Sequence, residues 1–223
     1  RDQLKIYAYL IPVAAFMIMP ILYIFNHAFK PMNELFAFPP RFFVRQPTLD
    51  NFRKLMQTTQ QSAIPVGRYL FNSILVTVIV VLLTIIVSTM AGFALSKLKF
   101  KGKEKLFEIN TLALMFVPVA VMIPRYLIID KLAIIDTYFA HILPLLSMPV
   151  GLFLVKQFID QVPDELIEAA VVDGASMYTI YYKIIMPMIK PAVATVGILS
   201  FQQVWNNMET SSLFVTQESM RTL

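Results

Sequence analysis

Few residues of this 223-residue chain are able to do chemistry, and their spacing argues against most of it. His27 and His141 are its two histidines and cysteine is absent, so two distant imidazoles without carboxylate neighbours make no zinc site and thiol chemistry is excluded. Gly102-Lys103 is followed by Glu104, and Lys97 stands where a phosphate-cradling loop needs its first glycine, so ATP is not hydrolysed by this chain. No Ser, His and carboxylate grouping argues for hydrolysis. No catalytic residue, metal ligand or cofactor is expected. What remains is polar and uncharged. Gln203, Asn206 and Asn207 can hydrogen-bond a hydroxylated solute, and the Trp205 indole can cover the apolar face of a sugar ring. Trp and Asn near the end of an apolar run also sit there for interfacial reasons.

A second group lies in residues 159–187. Pro163 followed by Asp164 and Glu165 is helix-starting chemistry, with proline in the first turn and the acids at the positive end of the dipole. Leu166, Ala169, Ala170 and Asp173 then share a face, the alanines admitting a close neighbour. Asp173-Gly174 breaks the helix. Residues 177–186, with Tyr178, Tyr181, Tyr182, Ile184 and Ile185, form a second short helix running into Pro187. This helix-turn-helix fits a partner-docking surface; its periodicity alone fits equally well an interfacial pair with aromatics at headgroup level.

The elements that must position these residues belong to a membrane. Hydrophobic residues make up 57% of the chain and charged ones 15%, a balance unsuited to a soluble domain of this size. A helix crosses about 30 Å of hydrocarbon with about 20 apolar residues. Runs of that kind lie at 6–26, 70–96, 109–124, 139–155 and 191–208, none with Asp, Glu, Lys or Arg inside its core, which disfavours an ion-coupled transporter. The first follows Arg1 and Lys5, lacks a small-residue cleavage site and is expected to be a retained anchor. Ser88, Gly92 and Ser96 repeat every four residues, so another helix is expected to approach the second span closely. Pro118, Pro124, Pro144 and Pro149 predict kinked or broken helices.

Orientation follows from charge. Lys97, Lys99, Lys101, Lys103 and Lys105 crowd one short loop, which places that loop, residues 159–187 and the N-terminus in the cytoplasm. The stretch 27–69 also carries Lys30, Arg41, Arg45, Arg53, Lys54 and Arg68, yet a loop of that length can be translocated despite its charge. Within it Thr48 is positioned to cap a helix carrying Leu49, Phe52, Leu55 and Met56. The net charge of +5 thus serves topology, and no nucleic-acid partner is expected.

Glu168-Ala169-Ala170, three residues, Gly174, nine residues, then Ile184, Met186 and Pro187 resembles the signature of binding-protein-dependent import permeases. Met186 stands where the pattern usually has leucine, a swap that keeps size and apolarity. Asn72-Ser73, residues 100–103, Asp136-Thr137-Tyr138, residues 163–166, residues 173–176 and Trp205-Asn206 resemble the carbohydrate-uptake, maltose-type branch in order and spacing. The resemblance implies an all-α polytopic helix bundle forming one permease domain over 1–223. Its five visible transmembrane helices would have a sixth beyond Leu223, and the polar segment from Glu209 would be an outer loop. It implies a multi-pass subunit of a prokaryotic inner membrane, surrounded by lipid, paired with a second homologous permease, two ATPase subunits that hold ATP and Mg, and an extracytoplasmic sugar-binding protein. Glu168, Ala169, Ala170, Asp173, Gly174, Ile184 and Pro187 would be the ATPase-coupling residues. The implied function is import of a sugar or oligosaccharide; import of a polyol or peptide, and a non-transporting membrane scaffold, are the alternatives.

Overall fold

The structure is a computed structural model and describes residues 2–60 and 64–223; Arg1 and the side chain of Lys5, taken above as flanking the first span, lie outside the described residues. The chain divides into two units, Arg1–Val66 and Gly67–Leu223. Every regular element among the described residues is helical.

The first unit holds α1 (Asp2–Ala28), α2 (Met32–Leu35) and α3 (Asp50–Gln60). Ile6–Ala28 is long and apolar enough to cross a membrane, and Tyr9, Phe16, Met17 and Ile24 along it are all exposed, as a helix facing lipid requires. The following loop folds on polar contacts: the Glu34 carboxylate accepts the Arg45 and Gln46 amides, each at 3.1 Å, and Asn51 Nδ2 donates to Ala28 O and Lys30 O at 3.1 and 2.7 Å. Thr48 Oγ1 accepts the Asp50 amide at 3.1 Å at the start of α3, whose Phe52, Leu55 and Met56 are exposed.

The second unit opens with α4 (Val66–Lys97), an unbroken helix of 32 residues that also has the length and apolarity of a span. The remaining apolar runs are pairs of helices. α5 (Lys103–Ala113) is followed by a 3-10 turn at Pro118–Val121 and by α6 (Met122–Lys131), the two arms bent by 110°. α7 (Tyr138–Leu146) and α8 (Pro149–Asp160) meet at 45°. α9 (Asp164–Val172) precedes the stretch Met177–Met188, in which α10 (Met177–Ile180) and α11 (Met186–Met188) flank a π-helical turn. That stretch joins α12 (Lys190–Trp205) and α13 (Glu209–Leu213) at 79°. The breaks fall where proline removes a helical donor: Pro118 opens the 3-10 turn and Pro149 opens α8. Pro124 sits in the first turn of α6, where it is tolerated.

The small-residue row on α4 receives α8. A Cβ at Gly92 would lie 2.7 Å from Val155 Cγ1, one at Gly151 would lie 3.3 Å from Ser88 Oγ, and Ser96 Oγ donates to Lys156 O at 3.3 Å. Around this crossing Phe93, Val155, Ile159, Ile180, Ile185 and Val196 form one buried cluster. Val76, Val80, Ile142, Leu145 and Val204 form a second, and Ile129, Ala140 and Phe214 a third.

Residues 209–223 fold back over this third cluster. Phe214 and Val215 are buried, and Asp136, left-handed at φ 59°, accepts the Thr216 amide at 2.6 Å and the Gln217 amide at 3.0 Å on its carboxylate. The Thr216 hydroxyl first, and then the backbone amides, hold the Asp136 carboxyl below its usual range. His141, near the start of the apolar run 139–155, is fully buried and bridges Thr210 Oγ1 at 2.9 Å and Met220 O at 3.1 Å. A carbonyl can only accept, so Nε2 carries a proton toward Met220.

Candidate functional site

Residues 163–187 form the first candidate site. Pro163 precedes α9, and Asp164 and Glu165 occupy its first turn. The helix ends at Val172, and beyond its Asp173 cap Gly174 adopts φ 78°, with the Gly174 amide donating to Val171 O at 3.0 Å and the Ala175 amide to Ala170 O at 2.9 Å. Ser176 Oγ then accepts the Thr179 amide at 3.2 Å and caps the next helix. The predicted docking residues divide between two faces. Ala170 and Ile184 pack on the buried cluster together with Ile167. Glu168, Ala169, Asp173, Gly174 and Pro187 are exposed, beside Leu166 and Val172. Ala169 and Ala170 therefore do different things: one keeps the outer surface low, the other seats the helix.

Both arms of this loop are fastened to α4. Lys97 Nζ donates to Val162 O and to Asp164 Oδ1, each at 2.6 Å, from a side chain only 8% exposed. The Lys97 ammonium, by its hydrogen bond and its charge, holds the Asp164 carboxyl below the usual carboxylate range, with smaller help from Lys103 and Lys99. After the Gly174 turn, the Tyr181 hydroxyl meets Thr89 Oγ1 at 2.7 Å in a buried contact.

The second candidate site is a cleft of about 660 Å³ bordered by the two breaks, Ala113–Pro118 and Ser147–Pro149, and by Gln203 and Asn207. Arg125 of α6 and Glu209 of α13 also line it and pair with each other at 2.9 Å, 26% and 27% exposed. Of the four residues expected on a substrate path, Gln203 and Asn207 face the cleft. Asn207 Oδ1 also accepts the Thr210 amide and hydroxyl at 3.0 and 2.8 Å. Trp205 instead stacks on Phe201 at 5.6 Å, and the Asn206 amide donates to Gln202 O of its own helix at 2.9 Å. Arg125 and Glu209 escaped sequence reasoning because 84 positions separate them, and each lies just outside an apolar run. Among the described residues no cluster of His, Cys, Asp and Glu is arranged to hold a metal ion.

The arrangement is an all-helical membrane permease fold. It matches a chain of a bacterial ABC transporter involved in import of the acidic polysaccharide alginate, with a TM-score of 0.83 at 22% identity, over 99% of this chain and 76% of that one. In sequence, 95% of the chain aligns at 30% identity with 75% of AraQ, the arabinooligosaccharides transport system permease protein of Halalkalibacterium halodurans. SmoH, the sulfoquinovosyl glycerol transport system permease protein of Agrobacterium fabrum, is 30% identical over 92% of this chain and 71% of its own length. An ABC transporter permease protein of Caldicellulosiruptor sp. (strain Rt8B.4), ORF2, is 35% identical over 92% of this chain and 73% of its length. Residues 88–221 match the family described as the binding-protein-dependent transport system inner membrane component. The chain belongs to that family.

Proposed function

We propose that this chain is the permease subunit of an ATP-driven importer of a sugar or oligosaccharide, and that residues 163–187 are its contact with a separate ATPase. The observation that carries the reading is the division of faces in that loop. Ile167, Ala170 and Ile184 seat it on the protein, leaving Glu168, Ala169, Asp173 and Gly174 as an uncovered, low-relief surface. AraQ and SmoH, by their names, move arabinooligosaccharides and sulfoquinovosyl glycerol, which supports a carbohydrate cargo here.

In this reading α1, α4 and the apolar runs 109–124, 139–155 and 191–208 are five spans, with the N-terminus, Lys97–Lys105 and residues 159–187 on the cytoplasmic side. A second, homologous permease completes the pathway, two ATPase subunits hold ATP and Mg, and an external binding protein delivers the solute. The cleft offers the Gln203 and Asn207 amides to hydroxyl groups beside the apolar walls at Leu143 and Phe116, a mixture suited to a sugar ring. Arg125 and Glu209 neutralise each other there, so a neutral solute meets no uncompensated charge from this pair.

Docking is tested by pull-down of the cognate ATPase subunit with the detergent-solubilised chain and with a Glu168→Arg, Ala169→Trp variant. Retention by the native chain and loss in the variant is the expected result. Equal retention would move the contact elsewhere.

A further inference from the structure

We propose that α4 carries displacement of the 163–187 loop across the membrane to the outer segment beside the cleft, with Lys97 and Asn72 as the positioning residues at its two ends. The proposal rests on that loop being the ATPase contact.

At the inner end, α4 holds each arm of the loop independently. Lys97 takes the arm before Gly174 through Val162 O and Asp164, and Thr89 takes the arm after it through Tyr181. The Asp164 side chain is 75% exposed, so the ion pair alone adds little. What fixes the geometry is the nearly buried ammonium donating to a backbone carbonyl as well.

At the other end Asn72 is fully buried and makes three hydrogen bonds. Nδ2 donates to Ser219 O and Arg221 O, both at 2.9 Å, and Oδ1 accepts from the Tyr138 hydroxyl at 2.8 Å. The neighbouring Ser73 Oγ accepts the Leu223 amide at 2.7 Å. These contacts reach Glu209 through the same short segment: Ser211 Oγ meets Thr222 Oγ1 at 2.7 Å, and Glu209 pairs with Arg125 in the cleft wall.

Between the two ends α4 has no break. At 1.5 Å per residue, the Asn72 to Lys97 stretch spans about 37 Å. Elsewhere in this unit the runs at 109–124 and 139–155 are broken by bends of 110° and 45°, and α12 meets the loop at 79°, so a push is absorbed at a bend. An uninterrupted hydrogen-bonded helix moves as a body, and α4 is the one such span described in this unit. Its two polar ends are also specific enough to be removed one at a time.

The test uses the full transporter in proteoliposomes, with ATP hydrolysis and labelled solute uptake measured on the same vesicles. Lys97→Met and Asn72→Leu are each expected to cut uptake at least tenfold while hydrolysis stays within twofold of native and the ATPase still co-purifies. Lys97→Arg, which keeps the charge and donors, is expected to restore uptake. A purely structural role would lower hydrolysis and uptake together, and that result would overturn the proposal, as would a native ratio of the two in both variants. Where Asn72→Leu fails to accumulate, Tyr138→Phe removes one of its three bonds and carries the same two outcomes. An ATPase that does not associate with the native chain would overturn the docking, and this proposal with it.

Discussion

Gly92 of α4 and Val155 of α8 approach so closely that a Cβ on residue 92 would sit 2.7 Å from Val155 Cγ1, with Ile159 Cδ1 at 3.4 Å. Any larger side chain forces the Val155 side chain, or α8 with it, to shift. Overpacking of this kind costs about 1–3 kcal/mol. Gly92→Leu is predicted to lower the thermal midpoint of the detergent-solubilised protein by several degrees, and Gly67→Leu, where a Cβ meets nothing within 4 Å, to leave it unchanged.

Gly174 presents the opposite case. Nothing lies within 4 Å of the position a Cβ would take, yet its φ of 78° strains any L side chain. Gly174→Val is expected to cost about 1–2 kcal/mol of local backbone energy. That distorts the turn between α9 and α10 while the spans stay inserted. Normal abundance by immunoblot with ATP-driven uptake lost is the predicted phenotype; normal uptake at normal abundance would make the loop an ordinary connector.

Asp136 supplies a pH prediction. Its folded-state carboxyl lies below its ordinary value, so its contribution to holding Thr216 and Gln217 is present above the unfolded pKa of about 3.9 and disappears as pH falls through the lower folded value. Hydrogen exchange at the Thr216 and Gln217 amides, corrected for intrinsic rates, is expected to be flat from pH 5 to 8. Asp136→Ala should raise it across that range. Protection that already declines between pH 8 and 6 would point to a different group.

The cleft divides residues that sequence alone groups together. Gln203→Ala and Asn207→Ala are expected to weaken solute affinity about two- to tenfold each, as loss of one hydrogen bond does. Asn206→Ala should have no effect, since that amide serves its own helix. Unchanged uptake affinity in both cleft variants would take the cleft out of the pathway.

Much of this was legible from residue types. The Ser88, Gly92 and Ser96 row names its own close contact, because spacing by four places three small residues on one helical face. The 163–187 loop is punctuated by Pro163 and Gly174, whose backbone preferences act locally. Two features were not legible. The prolines at 118 and 149 announce breaks in the runs at 109–124 and 139–155, but neither proline nor hydropathy sets the direction of the chain beyond a break, so the 110° and 45° angles were not. The segment after Glu209 reads as a polar outer loop. Its fold depends on Asn72, Asp136 and His141, partners 69 to 149 positions away that no local pattern announces.

ATP hydrolysed by a separate subunit is proposed to drive a carbohydrate through this permease. The most direct test is accumulation of a labelled oligosaccharide in proteoliposomes containing the two permeases, the ATPase and the external binding protein. Uptake that requires ATP and the binding protein, and is indifferent to collapse of proton and sodium gradients, is the predicted result. Uptake driven by an ion gradient without ATP would contradict it.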